Sequence, residues 1–492
     1  MNKKRHKASH SPGWDPKTRW PFSECKTITD GPIRATREDF LYQSATGRVR
    51  GGTCATSSGP LNTHPMDYDE RVKSCHALVT EKAVQEALKA DKGVEAQLTS
   101  WRIEDFTKFG DNYASIVTSV VVGFVLGGVD DLTSYVVKVN PCHGYQNIGA
   151  ATNIGFVKEA EFYGKLLPRL NAAMEEASLK TLRFPKYYYS CLEVGKELLF
   201  LEDLRRRSFK MYDRRKGLDV AHASLVLEEL ARLHAASLLL QNKDPEYFQD
   251  TLLNRDWANA FDGAMDVVAM FGGHFDNTAA MLEKIGGYET CVQWIQSTKP
   301  NIREIFTEQL EPSKHHVVCH GDAWNNNCLF RYNEGVPEEV MLVDLQLNHR
   351  VSFGNDLNYF LYTSLTGDVR KPNLDALLET YRGHFNAVME AGGARGEGHL
   401  SEAEVLQEFR SKNIIGAIFG MMALNFVLMD PLSLKKYAER DEAKQDEGEK
   451  DLNKDLESMK RYFMAMIDTN PLIRPRLLAM FDEFKESGLI PT

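Results

Sequence analysis

Apolar positions recur at helical spacing in several segments along this chain. Residues three or four positions apart share one face of a helix, so this recurrence predicts amphipathic helices. The predicted helices are 79–98, 156–174, 220–240, 374–391, 402–428 and 455–467. The C-terminal half is therefore predicted to be mainly helical.

Short runs rich in valine, isoleucine and aromatic residues predict β-strands. The predicted strands are 103–109, 116–126, 133–139 and 193–201, with a short strand pair inside 317–346. The run 113–129 is apolar, but it is short for a membrane span, contains glycines and is followed by Asp130 and Asp131, so no span is predicted. Strands followed by helices predict an α+β fold with a small β-rich N-terminal lobe and a larger, mainly helical C-terminal lobe.

The composition changes along the chain, and these changes suggest where the chain divides into an extension and two lobes. Residues 1–78 are rich in Gly, Pro, Ser and Thr with little periodicity, so they are predicted to form a flexible N-terminal extension. The N-terminal lobe is predicted at 79–204 and the helical C-terminal lobe at 205–492. Within the latter, the segment 435–457 mixes both charge signs densely, which is typical of a solvated helix face or loop.

The net charge and the cysteine spacing argue against some classes of protein and site. The 492 residues carry a formal net charge of −10, which argues against nucleic acid as the main partner, because phosphate binding needs a positive surface. The eight cysteines form no Cys-x-x-Cys pair and no metal-ligand spacing, and no secretory signal precedes them. Free thiols and a cytoplasmic location are therefore expected. No feature of the sequence points to a particular protein partner.

Three oxygen-bearing side chains follow two apolar runs in the C-terminal half. The run 317–319 leads to Asp322, Asn327 comes five residues later, and the run 340–343 ends at Asp344. Transfer of a phosphoryl group to a hydroxyl needs a carboxylate that accepts the hydroxyl proton and oxygen ligands that hold Mg²⁺. Asp322 fits the first role, and Asn327 with Asp344 fits the second. Each motif alone also fits a plain structural interpretation, in which Asp322 and Asn327 close a turn and Asp344 caps a strand.

A cation lies near the end of an otherwise apolar strand. Lys138 belongs to the predicted strand 133–139, so its charge must find a partner or reach the open face of the sheet. Glu159 on the following predicted helix is the natural partner, and Glu161, two residues away, is the reserve candidate. A lysine that extends its ammonium group from the strand end to water is the plain alternative.

Two motifs carry a resemblance to a known family. His320-Gly321-Asp322-x-Trp324-x-x-Asn327 and Asp344-x-Gln346 resemble motifs of the ecdysteroid kinase-like family, also called CHK kinase-like, which is related to aminoglycoside and choline kinases. The sequence departs from the family pattern at Leu345, where phenylalanine is usual, and in its long N-terminal extension. The resemblance extends over roughly residues 80–430 and includes 110–115, Lys138, 159–163, 202–204 and 233–235.

This resemblance implies a two-lobed protein-kinase-like fold, with nucleotide binding in the N-terminal lobe and the catalytic loop and acceptor site in the C-terminal lobe. It implies a kinase that uses ATP and Mg²⁺ to phosphorylate a hydroxyl of a small molecule, such as a steroid alcohol or an amino alcohol. Asp322 would be the catalytic base, and Asn327 and Asp344 would bind Mg²⁺. The residues implied in ATP binding are a phosphate loop of Gly110, Asn112, Tyr113 and Ser115, the pair Lys138 and Glu159, and a hinge of Glu202, Asp203 and Leu204.

Other interpretations stay open on the sequence. The segment 110–115 also fits an ordinary hairpin turn, and the basic run 205–216 fits a solvated face more readily than a site for an anionic substrate. Asp356 and His320 are expected to brace the catalytic loop rather than react. A protein kinase is disfavoured because Gly-x-Gly-x-x-Gly, Asp-Phe-Gly and Ala-Pro-Glu motifs are missing. A catalytically inactive pseudokinase, serving as a binding or scaffold module, is the alternative function, and a choline or ethanolamine kinase proper is a third possibility.

Overall fold

The computed structural model describes residues 73–104, 106, 115–140, 149–249, 253, 267–311, 314–394, 398–428 and 452–491. The predicted N-terminal extension 1–78 and the charged segment 435–457 therefore fall mostly outside the described residues. Gly110, Asn112 and Tyr113 of the predicted phosphate loop also lie outside them. In the described part, strands come first and helices dominate after them.

A five-stranded antiparallel sheet with strand order β1-β2-β3-β5-β4 forms the N-terminal part. Its strands are β1 Gln97–Glu104, β2 Ile116–Leu126, β3 Val129–Val139, β4 Tyr187–Cys191 and β5 Leu198–Glu202. Leu126 pairs with Val129, so the β2–β3 turn consists of Gly127 and Gly128, which both have positive φ. Such a two-residue glycine turn matches the twist of an antiparallel hairpin.

Two smaller sheets belong to the C-terminal part. One is three-stranded and contains, in this order, β6 Lys210–Met211, β8 Cys328–Asn333 and β9 Val336–Leu342. The other is an antiparallel pair of β7 His316–Cys319 with β10 His349–Ser352. The segment with Asp322 connects β7 to β8, and the segment with Asp344 connects β9 to β10. Both segments are thus held at each end by paired strands.

Helices make up most of the other described residues. Those of the N-terminal part are α1 Glu81–Lys92, α2 Gly149–Glu161 and α3 Leu167–Glu176, with a π-helical turn at Phe162–Leu166 between the last two. Those of the C-terminal part are α4 Val220–Lys243, α5 Val267–Ile285, α6 Glu289–Thr298, α7 Ile302–Glu308, α8 Phe353–Ser364, α9 Gly367–Ala391, α10 Glu402–Ser411, α11 Asn413–Val427, α12 Leu452–Thr469 and α13 Ile473–Glu486. Short 3₁₀ turns lie at Leu204–Arg207, Pro245–Phe248, Lys299–Asn301, Asn325–Asn327 and Leu345–Leu347. Among these described helices, none combines the length and the apolar character that crossing a bilayer requires.

Helix α4 lies at the centre of the larger hydrophobic core, where it packs against α9 and β7. The final helix α13 joins this core through a buried ion pair. Arg370 on α9 donates to both carboxylate oxygens of Glu483 at 2.8 and 2.7 Å, and it also donates to the carbonyls of Leu361 and Leu365. Because the pair is bidentate and Nη1 of Arg370 also has two backbone partners, both charges are satisfied away from water.

The predicted α+β class, with a β-rich N-terminal lobe and a mainly helical C-terminal part, is confirmed. Several predicted boundaries are wrong. The first strand begins at Gln97 instead of 103, because the first helix ends at Lys92 before Gly93, whose φ is +95°. The single helix predicted over 402–428 is the two helices α10 and α11. The strand pair predicted inside 317–346 is the three strands β7, β8 and β9. Strands β4, β6 and β10 and the helices α5 to α8 and α13 are additions to the predicted elements, and the lobe boundary at 204 stays a prediction.

Candidate active site

Asp322 lies in the segment between β7 and β8, just after a buried apolar strand. Both oxygens of its carboxylate accept hydrogen bonds. Tyr359 donates its hydroxyl to Oδ1 at 2.5 Å, and Asn327 donates its amide Nδ2 to Oδ2 at 2.9 Å. The same Nδ2 lies 2.9 Å from the backbone carbonyl oxygen of Asp322, so the segment folds back on itself. The carboxylate plane is therefore fixed by two donors from different elements.

Gly321 is required by the path of the same segment. Its φ is +81°, and a Cβ built on it would lie 2.1 Å from the carbonyl oxygen of Leu347. A glycine is therefore needed both for the backbone conformation and for the close approach of the two segments. The backbone before Asp322 thus packs directly on the segment that follows Asp344.

Asp344 follows the end of β9 and has a left-handed backbone conformation with φ of +69°, which is uncommon for a residue other than glycine. The N–H of Val343 donates to the carbonyl oxygen of Asn327 at 3.0 Å, which brings the two predicted metal ligands onto adjacent segments. On the other side, the N–H of Leu345 donates to Oε1 of Glu159 at 3.3 Å. The backbone is thus held on both sides of Asp344.

Lys138 connects the N-terminal sheet to this cluster. Its Nζ lies 2.5 Å from Oε2 of Glu159 and 2.7 Å from Oδ1 of Asp344, and the side chains of Lys138 and Glu159 are buried. Burial alone would lower the pKa of Lys138, but the Asp344 and Glu159 carboxylates outweigh it and raise this pKa, so the ammonium is charged. Glu161, the reserve candidate, instead pairs with Lys165 at 2.8 Å.

The environment of Asp322 changes its proton affinity. Burial and the nearby charge of Asp344 raise the pKa of Asp322 to about 8, although the hydrogen bonds from Tyr359 and Asn327 act in the opposite direction. Burial and the charge of Asp322 raise the pKa of Tyr359 well above its ordinary range, so Tyr359 keeps its proton and remains a donor. A carboxylate with a pKa near neutrality suits a general base.

Asp356, in the first turn of α8, holds the main chain next to Asp322. Its carboxylate accepts the N–H of His320 at 2.6 Å and the N–H of Gly321 at 2.9 Å. His234 approaches it with Nε2 at 3.1 Å and has its Nδ1 2.9 Å from the hydroxyl of Tyr381. Burial alone would raise the pKa of Asp356, but the contacts with His234 and the loop lower it, so the carboxylate is charged. This geometry agrees with a bracing role for Asp356.

His234, Cys319 and Asp356 form a buried group whose potential ligand atoms lie within 4.8 Å of one another. The contacts given above already use both nitrogens of His234 and the carboxylate of Asp356. The thiol of Cys319 faces the carbonyl oxygens of Val351 and Ser352 at 3.8 and 3.5 Å. The group is therefore a hydrogen-bond network that supports the Asp322 segment.

The predicted hinge lies where β5 ends and the 3₁₀ turn Leu204–Arg207 begins. Asp203 accepts the hydroxyl of Ser134 at 2.6 Å and a guanidinium nitrogen of Arg205 at 2.7 Å, so its side chain serves the local structure. Glu202 accepts the N–H of Lys186 at 3.2 Å, and Leu204 is buried. Contact of this hinge with a nucleotide stays a prediction.

Of the predicted phosphate loop, the structure describes Ser115, which directly precedes β2. The role of the phosphate loop stays a prediction.

The basic run 205–216 contacts neighbouring residues: Arg206 donates to the carbonyl of Leu132 at 3.0 Å, and Arg207 pairs with Glu202 at 3.3 Å. These contacts favour the solvated-face interpretation of the run.

The sequence reasoning missed Tyr359 as a partner of Asp322. Helix α8 was not predicted because all of its residues except Thr363 are buried, so no polar face marks a helical period. The available signal was the spacing of Asp356 and Tyr359. Residues three positions apart share a face once the segment is taken as a helix.

The oxygen donors of the cluster fit a divalent cation. Asn327 uses its Nδ2 on Asp322, which leaves its Oδ1, and Asp344 uses Oδ1 on Lys138, which leaves its Oδ2. An amide oxygen and a carboxylate oxygen are ligands that Mg²⁺ accepts while it keeps positions for phosphate and water. The oxygen donors at Asn327 and Asp344 therefore fit Mg²⁺, and metal binding there stays a prediction.

Comparisons with known proteins show which family the chain resembles. Residues 109–392, more than half of the chain, match the ecdysteroid kinase-like family. No curated protein matches the chain significantly. Among solved structures, the chain is similar to a spectinomycin phosphotransferase in complex with ADP and spectinomycin, with 13% identity, a TM-score of 0.34, and coverage of 82% of this chain and 98% of that chain. It is also similar to an ethanolamine kinase of Plasmodium vivax, with 11% identity, a TM-score of 0.35, and coverage of 85% and 98%. An amicoumacin kinase in complex with AMP-PNP and Ca²⁺ shows 14% identity, a TM-score of 0.33, and coverage of 82% and 98%.

Proposed function

We propose that this chain, which belongs to the ecdysteroid kinase-like family and is a small-molecule kinase, transfers the γ-phosphate of ATP to a hydroxyl group of a metabolite with Mg²⁺ as cofactor. One observation carries the proposal. The ammonium of Lys138 contacts the carboxylate of Asp344. The backbone N–H of Val343, which directly precedes Asp344, donates to the carbonyl oxygen of Asn327. The side-chain amide of Asn327 in turn donates to the carboxylate of Asp322. A cation, two candidate metal ligands and a candidate base therefore form one continuous contact chain, which brings together the kinds of group that phosphoryl transfer uses.

In this proposal Asp322 is the catalytic base. Its carboxylate accepts the proton of the acceptor hydroxyl while the hydroxyl oxygen forms a bond to the γ-phosphorus. The bond between the γ-phosphorus and the bridging oxygen breaks, and ADP leaves with the electron pair of that bond. The proton then resides on Asp322 until it is lost to solvent. The raised pKa of Asp322 supports this role, because it increases the affinity of the carboxylate for the hydroxyl proton.

Lys138 is proposed to contact the α- and β-phosphates, with Glu159 holding its ammonium group in place. The 2.5 Å ion pair and the burial of both side chains support this arrangement, because a buried pair has little freedom to move. Asn327 and Asp344 would hold Mg²⁺. When bound, the ion supplies positive charge that neutralises the phosphate oxygens.

The remaining nucleotide contacts are proposed from the family resemblance. Gly110, Asn112, Tyr113 and Ser115 would approach the phosphates, and the hinge at 202–204 would present backbone groups to adenine. The acceptor is proposed to be a steroid alcohol, an amino alcohol or a similar metabolite. A pseudokinase is the second candidate. It is disfavoured because a scaffold has no need for the contact chain from Lys138 to Asp322.

The proposal is tested by ADP formation from ATP and Mg²⁺ in the presence of a panel of steroid alcohols, amino alcohols and aminoglycosides. Wild-type protein should form ADP faster with at least one acceptor. Asp322→Asn should reduce that acceptor-dependent rate by more than about a hundredfold, because a general base contributes on this order. Asp213→Asn is the matched control, since Asp213 is a partly exposed carboxylate that bonds to Arg215 outside the cluster. Equal rates for wild type and Asp322→Asn would remove Asp322 from the mechanism.

A further inference from the structure

Helix α8 presents two polar side chains, Asp356 and Tyr359, to the segment that contains Asp322. They lie three positions apart and therefore share a face of the helix. Asp356 holds the backbone N–H groups of His320 and Gly321, whereas Tyr359 holds the side chain of Asp322. One helix face thus fixes both the main chain before the candidate base and the carboxylate of the base itself.

The contact between Tyr359 and Asp322 limits the freedom of the carboxylate. Tyr359 donates to Oδ1 at 2.5 Å, while Asn327 donates to Oδ2 at 2.9 Å. With a donor on each oxygen, rotation of the carboxylate about its χ2 bond would break both hydrogen bonds. Asn327 comes from the Asp322 segment itself, whereas Tyr359 comes from the core of the C-terminal part. Tyr359 therefore ties the orientation of the base to a rigid element.

Tyr359 is itself held firmly. The residue is 5% exposed, and its ring centroid lies 4.3 Å from that of Phe419 on α11. Phe419 in turn contacts Phe271 and Phe306, with centroid distances of 5.6 and 5.9 Å. Aromatic packing of this kind leaves the Tyr359 ring one position and fixes where its hydroxyl points.

We infer that Tyr359 is a positioning residue for phosphoryl transfer, which orients the Asp322 carboxylate toward the acceptor hydroxyl. The inference rests on the proposed function. Correct placement of a catalytic group contributes strongly to rate, and small misplacements are costly. Tyr359 forms a hydrogen bond with Asp322, whereas Lys138 is the proposed phosphate contact and Asp344 a proposed Mg²⁺ ligand. Loss of the Tyr359 hydroxyl should therefore slow turnover without weakening nucleotide binding.

The test compares Tyr359→Phe with Tyr362→Phe. Both changes remove one hydroxyl from the same helix, but Tyr362 packs against Arg370 and Phe484, away from Asp322. ADP formation is measured with Mg²⁺-ATP and the fastest acceptor of the panel, or with water as acceptor. Tyr359→Phe should lower kcat at least tenfold and leave the KM for ATP within twofold of wild type. Tyr362→Phe should leave both values near those of wild type.

A second measurement reports the contact without using activity. The shift in melting temperature caused by Tyr359→Phe is measured in the wild type and in an Asp322→Ala background. A direct contact predicts a decrease in the first background and a much smaller one in the second, because the partner is already gone. Tyr362→Phe should give the same shift in both backgrounds.

The outcomes separate this inference from the proposed function. An active wild type, a slowed Tyr359→Phe and unequal melting shifts support the positioning role. An active wild type with full kcat in Tyr359→Phe, or equal melting shifts in the two backgrounds, overturns it while the proposed function stands. A wild type that forms no ADP from ATP and Mg²⁺ removes the proposed function and the positioning role together.

Discussion

The ammonium of Lys138 lies 2.7 Å from a carboxylate oxygen of Asp344, although the two residues are 206 positions apart in the chain. Lys138 belongs to the N-terminal sheet, whereas Asp344 follows the last strand of a C-terminal sheet. The contact therefore joins the part of the chain proposed to bind ATP phosphates to the part proposed to bind the metal. Its integrity should matter for stability as well as for function.

Replacing Lys138 should destabilise the fold. In Lys138→Met, the carboxylates of Glu159 and Asp344 lose their shared cation while Glu159 stays almost fully buried. The expected decrease in the free energy of unfolding is about 3 kcal/mol, because an uncompensated buried charge remains. Denaturant unfolding measures this value. Lys196→Met is the control and should leave stability close to that of the wild type, because the Lys196–Glu193 pair is exposed. Similar stabilities of the two variants would contradict the assigned role of the pair.

Alanine substitutions at Gly321 and Gly335 can be compared to separate two costs to stability, that of a close contact and that of an unfavourable backbone conformation. Both have positive φ, of 81° and 85°, but only Gly321 would place a Cβ against backbone, since no atom lies within 4 Å of a Cβ at Gly335. Gly335→Ala should cost about 1 kcal/mol, the conformational penalty alone. Gly321→Ala should cost more and should abolish turnover, because the Asp322 segment must move. Unfolding measurements that give equal losses for the two variants would contradict the observed packing of Gly321 on Leu347.

His274 on α5 should make stability depend on pH. Burial lowers its pKa from 6.5 to about 4 in the folded protein. As pH falls from 6.5 to 4, the unfolded chain binds a proton that the folded chain excludes, so stability present above pH 6.5 is lost. The expected loss is about 1.4 kcal/mol per pH unit from this residue.

The variant His274→Gln isolates this contribution. The free energy of unfolding is measured against pH for both proteins, and their difference is followed from pH 8 downward. The gap should be constant above about pH 7 and should change between pH 6.5 and 4, where the wild type loses stability more steeply. Parallel curves through this window would show that His274 does not titrate differently in the folded and unfolded states.

The parts of the site that are local in sequence could be predicted. Asp322 and Asn327 are separated by one short segment, and their hydrogen bond lies within it. Lys138 was conspicuous as a cation in an apolar strand, and Glu159 lies on the helix that follows. In these cases the need to satisfy a charge or to close a turn is readable from neighbouring residues.

The parts that depend on tertiary packing could not be predicted. The hydrogen bond of Tyr359 to Asp322 joins α8 to the segment between β7 and β8. The hydrophobic pattern of the sequence does not predict this contact, because α8 is buried on nearly all sides. His234 and Asp356, which are in contact, are 122 positions apart, and the sequence does not predict this contact either. β1 was misplaced because a half-buried edge strand alternates weakly, with Leu98, Trp101 and Ile103 only partly covered.

The most direct test of the proposed nucleotide and metal site is thermal melting with a non-hydrolysable ATP analogue, with and without Mg²⁺. Wild-type protein, Asp344→Ala and the control Asp213→Ala are compared. At an analogue concentration of 100 times Kd, binding stabilises the folded state by about 2.7 kcal/mol. The wild type and Asp213→Ala should therefore melt at a higher temperature with analogue and Mg²⁺ together, and Asp344→Ala should lose the Mg²⁺-dependent part of that rise. A wild type whose melting temperature is unchanged, or an Asp344→Ala variant with the full rise, would contradict the proposed site.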